Sequence, residues 1–175
     1  MEIIQVVGYK DSGKTTLVRE LVNAFTQAGY NIGTLKNSPH DHDPEPEGTD
    51  TRLHREAGAA ITAFVTPNRA AWVEERKVTT EEIVETMARR GVDILIVEGF
   101  KNAPYPKIAL IRSETDTALI DLPNTITVAT RTPISSIDAA AESRGIARFH
   151  VPDTASFGPI TAFWLDRVRS NRKAK

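Results

Sequence analysis

The sequence predicts an α/β protein with a mostly parallel sheet, helices on both faces and a short β-ribbon. Three observations predict it. Residues 8–15 read Gly-Tyr-Lys-Asp-Ser-Gly-Lys-Thr, which fits the phosphate-loop pattern G-x-x-x-x-G-K-[ST] at every fixed position. Strand-like and helix-like patterns alternate along the chain, as a sheet wound with crossover helices requires. The run Asp93-Ile-Leu-Ile-Val-Glu98-Gly99 sets four branched apolar residues before a carboxylate, the form of a Walker B strand. Together they predict a P-loop NTPase fold, with residues 1–175 as a single nucleotide-binding domain.

Taken in order, Ile3, Ile4, Val6 and Val7 suit a buried parallel strand. Residues 16–28 then put Leu17, Val18, Leu21, Val22 and Phe25 on one helical face, and Gly29 is a natural C′ residue. Residues 30–35 read as a second strand. Residues 37–48 hold three prolines, two histidines and four acids, and form a loop long enough to suspect of function. Residues 49–57 look helical, with Gly58 as the stop. Residues 60–65 and 70–73 are two strand-like runs around the turn signal Thr66-Pro-Asn-Arg69. Thr80-Glu-Glu opens a helix to Arg90, ended by Gly91. Residues 94–97 are a continuous apolar run, hence a central strand. Residues 107–112 and 125–129 are further strands, 135–144 an alanine-rich helix, 149–151 a short last strand and 156–169 a closing helix.

A hydrophobic share of 40% is enough for a core, and a net charge of −1 leaves no electrostatic footprint for nucleic acid. The basic tail from Arg167 onward reads as a solvated end. With no cysteine there is no disulfide, thiolate metal site or cysteine nucleophile. The chain runs from Met1 straight into a strand, so no signal peptide is expected. No apolar run approaches the length of a membrane span, and a cytoplasmic location is expected.

The chemistry follows from the loop. Backbone N–H groups of Ser12, Gly13, Lys14 and Thr15 can wrap phosphate oxygens at a helix N-terminus, where the helix dipole favours anions. Gly8 opens the loop and Thr16 follows it. Lys14 is expected on the β- and γ-phosphates and the Thr15 hydroxyl on Mg²⁺. Glu98 ends its strand at the edge of the sheet where ligands sit, and Asp93 lies at the opposite end. Glu98 is therefore the expected catalytic carboxylate, orienting a metal-bound water or holding Mg²⁺ through its shell, with Gly99 allowing the backbone to approach the γ-phosphate. In the acidic loop, Asp41 or Asp43 can supply a further oxygen to Mg²⁺. The same loop also reads as a transition-metal site with His40 and His42, or as a solvated segment. Arg131, after a late strand, is placed to stack on a purine or to stand as a surface arginine. No Asn-Lys-x-Asp or Thr-Lys-x-Asp guanine segment is present.

Three blocks carry a family resemblance over nearly the whole chain. The first is the loop with its doubled threonine, Gly8 to Thr16. The second runs from Thr34-Leu-Lys36 through His40-Asp41-x-Asp43 and Gly48-x-Asp50-Thr51 to Arg55-x-Ala57-Gly58-Ala59. The third is Val97-Glu98-Gly99-Phe100-Lys101 with the strand Lys107-Ile-Ala-Leu. On these the chain resembles the molybdopterin-guanine dinucleotide biosynthesis protein B family. The resemblance implies a GTP-binding, weakly GTP-hydrolysing adaptor that forms a homodimer. It implies a molybdenum cofactor guanylyltransferase as partner, and molybdopterin indirectly. It implies Gly13, Lys14, Thr15 and Thr16 as the nucleotide site and Glu98 as their acidic partner, with His40, Asp41 and Asp43 in a switch loop. The chain departs from the family in that loop: Lys36 is followed by Asn37-Ser-Pro39-His40 rather than a histidine-rich segment, and Thr49 replaces a common lysine. The rival readings are a small-molecule P-loop kinase, for which Arg52 and Arg55 are the nearest lid arginines, and a metallochaperone GTPase using His40 and His42.

Overall fold

The structure, a computed structural model, describes residues 1–38 and 40–173. The chain forms two compact units, Met1–Asn37 with Val84–Lys175, and Ser38–Ile83.

The first unit is built on a six-stranded, fully parallel sheet. Its strands are β1 (Glu2–Gly8), β2 (Ile32–Lys36), β5 (Ile94–Glu98), β6 (Lys107–Ile111), β7 (Thr125–Thr130) and β8 (Ala147–His150), in the order β2-β5-β1-β6-β7-β8. The chain goes from β1 to one side of the sheet and later returns to the other. The carboxyl end of β1 therefore lies at a topological switch point, where open α/β sheets leave a crevice for ligands.

The apolar runs of β1, β5 and β6 are buried on both faces, as parallel strands between helical layers are. Alternation sorts them. Ile108 and Leu110 join Ile4, Val6, Ile94 and Ile96 on one face, under Leu17, Leu21 and Phe25 of α1 (Lys14–Gln27) and Ile160, Trp164 and Val168 of α5 (Gly158–Lys173). Ala109 and Ile111 join Val7 and Val128 on the other, with Ile137 and Ala141 of α4 (Ser135–Arg144).

The second unit holds the ribbon of β3 (Ile61–Thr66) and β4 (Arg69–Glu74), antiparallel, with the short helix α2 (Asp50–Glu56). Helix α3 (Thr80–Arg89) carries the chain back to the first unit.

The expected elements are present with shifted ends. Helix α1 begins at Lys14, two residues before the expected start at residue 16, because the loop itself makes its first turn. The last strand lies at Ala147–His150 rather than 149–151. Val151 is buried beyond it and donates its N–H to the Thr130 carbonyl at 2.8 Å. A 3-10 segment, Glu114–Asp121, lies where the sequence showed no periodicity, and a second, Thr154–Phe157, replaces the start of the expected closing helix, which begins at Gly158.

Candidate functional site

The site grows from the carboxyl end of β1. Gly8 must be glycine, since a Cβ there would sit 2.4 Å from Ser12 Oγ and 3.2 Å from the Leu110 carbonyl oxygen. Gly13 caps α1 at φ 91°, in left-handed backbone that other residues rarely adopt. This turn aims the first amides of α1 at the loop's centre. Those amides have no intrahelical acceptor, since no turn precedes them. Ser12 Oγ is buried and has no hydrogen-bond partner among the described residues. Lys14 Nζ folds across the loop and donates to the Tyr9 carbonyl at 2.6 Å. Burial holds its pKa below the ordinary lysine value; Glu98 opposes that, while Lys101, Lys36 and Arg112 add to it.

A cavity of about 370 Å³ opens here, lined by Asp11, Ser12, Gly13, Lys14, Thr15, Thr16 and Arg131. All the loop residues expected from the sequence except Gly8 line it, and Arg131 joins them from just beyond the end of β7. Arg131 Nη2 donates to the Asp11 carbonyl at 3.3 Å.

Glu98 ends β5, beside β1 in the sheet, with its carboxylate largely buried. The Thr15 hydroxyl lies 3.2 and 3.3 Å from its two oxygens, and Lys36 Nζ lies 3.6 Å from Oε1. Gly99, at φ 93°, donates its N–H to the Val6 carbonyl at 3.0 Å, tying the turn after β5 to β1. Gln5, fully buried in β1, holds the same turn: its Nε2 donates to the Gly99 and Phe100 carbonyls at 2.6 and 2.5 Å. On the loop's flank, Lys101 Nζ lies 3.6 Å from the centre of the Tyr9 ring. Arg112 Nη1 donates to the Lys10 carbonyl at 2.8 Å, and its guanidinium pairs with buried Asp116 at 2.7 Å.

A further cavity, about 280 Å³, adjoins the first and shares Ser12, Gly13 and Arg131 with it. Ala129 and Thr130 of β7, Val151, Pro152 and Asp153 after β8, and Phe157 complete much of its wall. The sequence reading reached Arg131 but not Asp153 or Phe157. They belong to no motif, and only the sheet order brings them beside the loop.

Asp41 and Asp43 belong to the second unit. Asp41 is exposed. Asp43 pairs with Arg55 at 2.6 Å and with Arg52 at 3.4 Å, and the Arg55 hydrogen bond is the main cause of its lowered pKa. Arg55 also pairs with Glu45 at 2.8 Å and Glu75 at 2.5 Å, and its side chain is only 6% exposed. Arg52 pairs with Glu56 at 2.9 Å as well. The His40 and His42 ring centroids are 5.5 Å apart. Among the described residues no group of three or more His, Cys, Asp or Glu is arranged to hold a metal ion, and no helix is long and apolar enough to cross a membrane.

The profile of a protein family, "MobB: Molybdopterin guanine dinucleotide synthesis protein B", matches residues 3–131. The chain is 31% identical over 153 residues to the probable molybdopterin-guanine dinucleotide biosynthesis adapter protein of Bacillus subtilis, covering 86% of each. It is 30% identical to the adapter protein of that name in Haemophilus influenzae, covering 75% of this chain and 76% of that one. The crystal structure of Bacillus subtilis MobB superposes with a TM-score of 0.76 at 29% identity, over 93% of this chain and 97% of that one.

Proposed function

The chain belongs to the molybdopterin guanine dinucleotide synthesis protein B family, and from that membership and the site's geometry we propose that it is an adaptor in molybdopterin guanine dinucleotide biosynthesis that binds GTP. The reading gives it weak GTPase activity and, as partner, the guanylyltransferase that makes the dinucleotide form of the molybdenum cofactor. Molybdopterin is met through that partner. The observation that carries the nucleotide half is the phosphate loop: left-handed Gly13, the unpartnered buried Ser12 hydroxyl, and Lys14 crossing the loop beside the largely buried Glu98 carboxylate.

The oxygen donors suit Mg²⁺. Adjacent ligands of an octahedral Mg²⁺ at 2.0–2.1 Å stand about 2.9 Å apart, and Thr15 Oγ1 and Glu98 Oε1 are 3.2 Å apart. Thr15 and Glu98 would hold the ion, which would offset charge on the β- and γ-phosphates. Lys14 binds the same phosphates through its ammonium. Gly8 and Gly13 set the loop's curvature, while Ser12 and Thr16 supply polar atoms around the phosphates. Glu98 also orients a water for hydrolysis, and Gln5 and Gly99 fix the turn behind it. Asp43 is engaged by two guanidiniums, so it and Asp41 stand second to Thr15 and Glu98 as ligands.

A kinase needs arginines over the transferring phosphoryl group. Arg52 and Arg55 are instead committed to carboxylates of their own unit, which favours the adaptor reading. In the second unit Ile61, Phe64, Val65 and Trp72 of the ribbon are each more than half exposed. A two-stranded ribbon with such side chains needs covering, and this supports a homodimer. The same reading puts the protein in the cytoplasm with its nucleotide.

Reconstitution tests the proposal. Light scattering should give a dimer mass for the chain alone. Adding the chain and GTP to a guanylyltransferase with molybdopterin should raise the yield of guanine dinucleotide. A yield independent of the chain would contradict the adaptor role.

A further inference from the structure

We propose that the cavity beside the phosphate loop receives the nucleobase and that the Asp153 carboxylate selects guanine there; the proposal rests on the nucleotide reading above. The cavity shares Ser12, Gly13 and Arg131 with the cavity over the loop. A ligand whose phosphates lie at Lys14 would reach it past these three residues.

Part of its wall is apolar, as the face of a nucleobase requires. Ala129, Val151 and Phe157 present apolar surface, all of them buried. Arg131 stands at the junction of the two cavities, where a guanidinium plane can lie against a purine face. Among the described lining residues Asp153 is the one carboxylate. Ser156 Oγ donates to Asp153 Oδ1 at 2.8 Å and so restricts its rotation.

A carboxylate in such a place discriminates between purines. Guanine presents two neighbouring donors, N1–H and the 2-amino group, and a carboxylate accepts both at once in the paired geometry that gives strong charge-assisted bonds. Adenine presents a lone pair on N1 beside its 6-amino group, so one carboxylate oxygen faces another acceptor. Hypoxanthine keeps N1–H and lacks the 2-amino group. The guanine-reading acid thus follows β8, and a guanine motif after β7 is not required.

Calorimetric titration of the full chain with the Mg²⁺ complexes of GTP, ITP, ATP and XTP tests this. The wild type should prefer GTP over ITP and ATP by about tenfold to a hundredfold. Asp153→Asn should lose affinity for GTP by a similar factor and gain affinity for XTP, whose N1–H and 2-oxo group match an amide. A gain of that kind cannot arise from misfolding. Wild type that binds all four equally, or an Asp153→Asn protein that keeps the GTP preference, would overturn the base assignment and leave the nucleotide reading standing. Wild type that binds none of them would overturn both.

Discussion

In the proposed nucleotide site, Lys14 and Glu98 differ at the scale of single residues in what they touch. Lys14 is held at the Tyr9 carbonyl, with burial pressing its pKa down and Glu98 opposing; a phosphate there would add a further anion. Glu98 touches the Thr15 hydroxyl and the Lys36 ammonium, whereas the loop's curvature is set by Gly8 and Gly13. Glu98→Gln should therefore bind GTP nearly as the wild type does, while single-turnover phosphate release falls by ~10²–10⁴-fold. Hydrolysis at the wild-type rate would reduce Glu98 to a strand-end residue. These positions were legible because the motif fixes their spacing. Gln5 was not: a polar residue in an apolar strand carries no sign that its amide will clasp the Gly99–Phe100 turn. Asp153 was not either, because its place depends on β8 lying beside β7.

At the scale of elements, the long apolar runs were readable and the irregular connections were not. Strand β5 is an unbroken buried run up to Glu98 and the apolar run of β1 is broken only by Gln5, so pattern alone finds them. The 3-10 segment Glu114–Asp121 has no helical period, yet it carries the Asp116 carboxylate that holds Arg112, which in turn holds the Lys10 carbonyl. Lys107 is likewise unreadable: it is fully buried, with its ammonium donating to the carbonyls of Ala103, Tyr105 and Pro123. The Asp116 pair makes a testable contribution. The Arg112 hydrogen bond is the main influence lowering the Asp116 pKa, and burial opposes it. A carboxylate whose folded pKa lies below its unfolded value stabilises above the unfolded value, and that stability is lost as pH falls through the folded one. Asp116→Asn should thus cost about 1–3 kcal/mol near neutral pH. The gap from wild type should shrink as pH drops below about 4. Urea unfolding at pH 7 and pH 3 measures it; an equal gap at both would show that the charge contributes nothing.

For the whole molecule, the sheet order makes the site: only with β5 and β6 flanking β1 do Glu98 and the loop meet, and only with β7 and β8 beyond do Arg131 and Asp153 reach the same end. The second unit contributes its own ion-pair network around Arg55 and an apolar ribbon, with Trp72 60% exposed. The sequence pointed to the ribbon through its turn signal, but the Arg55 network depends on loop geometry that composition does not encode. Everything proposed for the function passes through the phosphate loop. The most direct measurement is calorimetric titration of Mg²⁺ and GTP into the intact wild-type chain and into Lys14→Ala, with circular dichroism confirming that both are folded. The wild type should saturate at one nucleotide per chain, and Lys14→Ala should show no binding in the same range. Equal affinity in the two proteins, or a folded wild type that takes up no GTP, would contradict it.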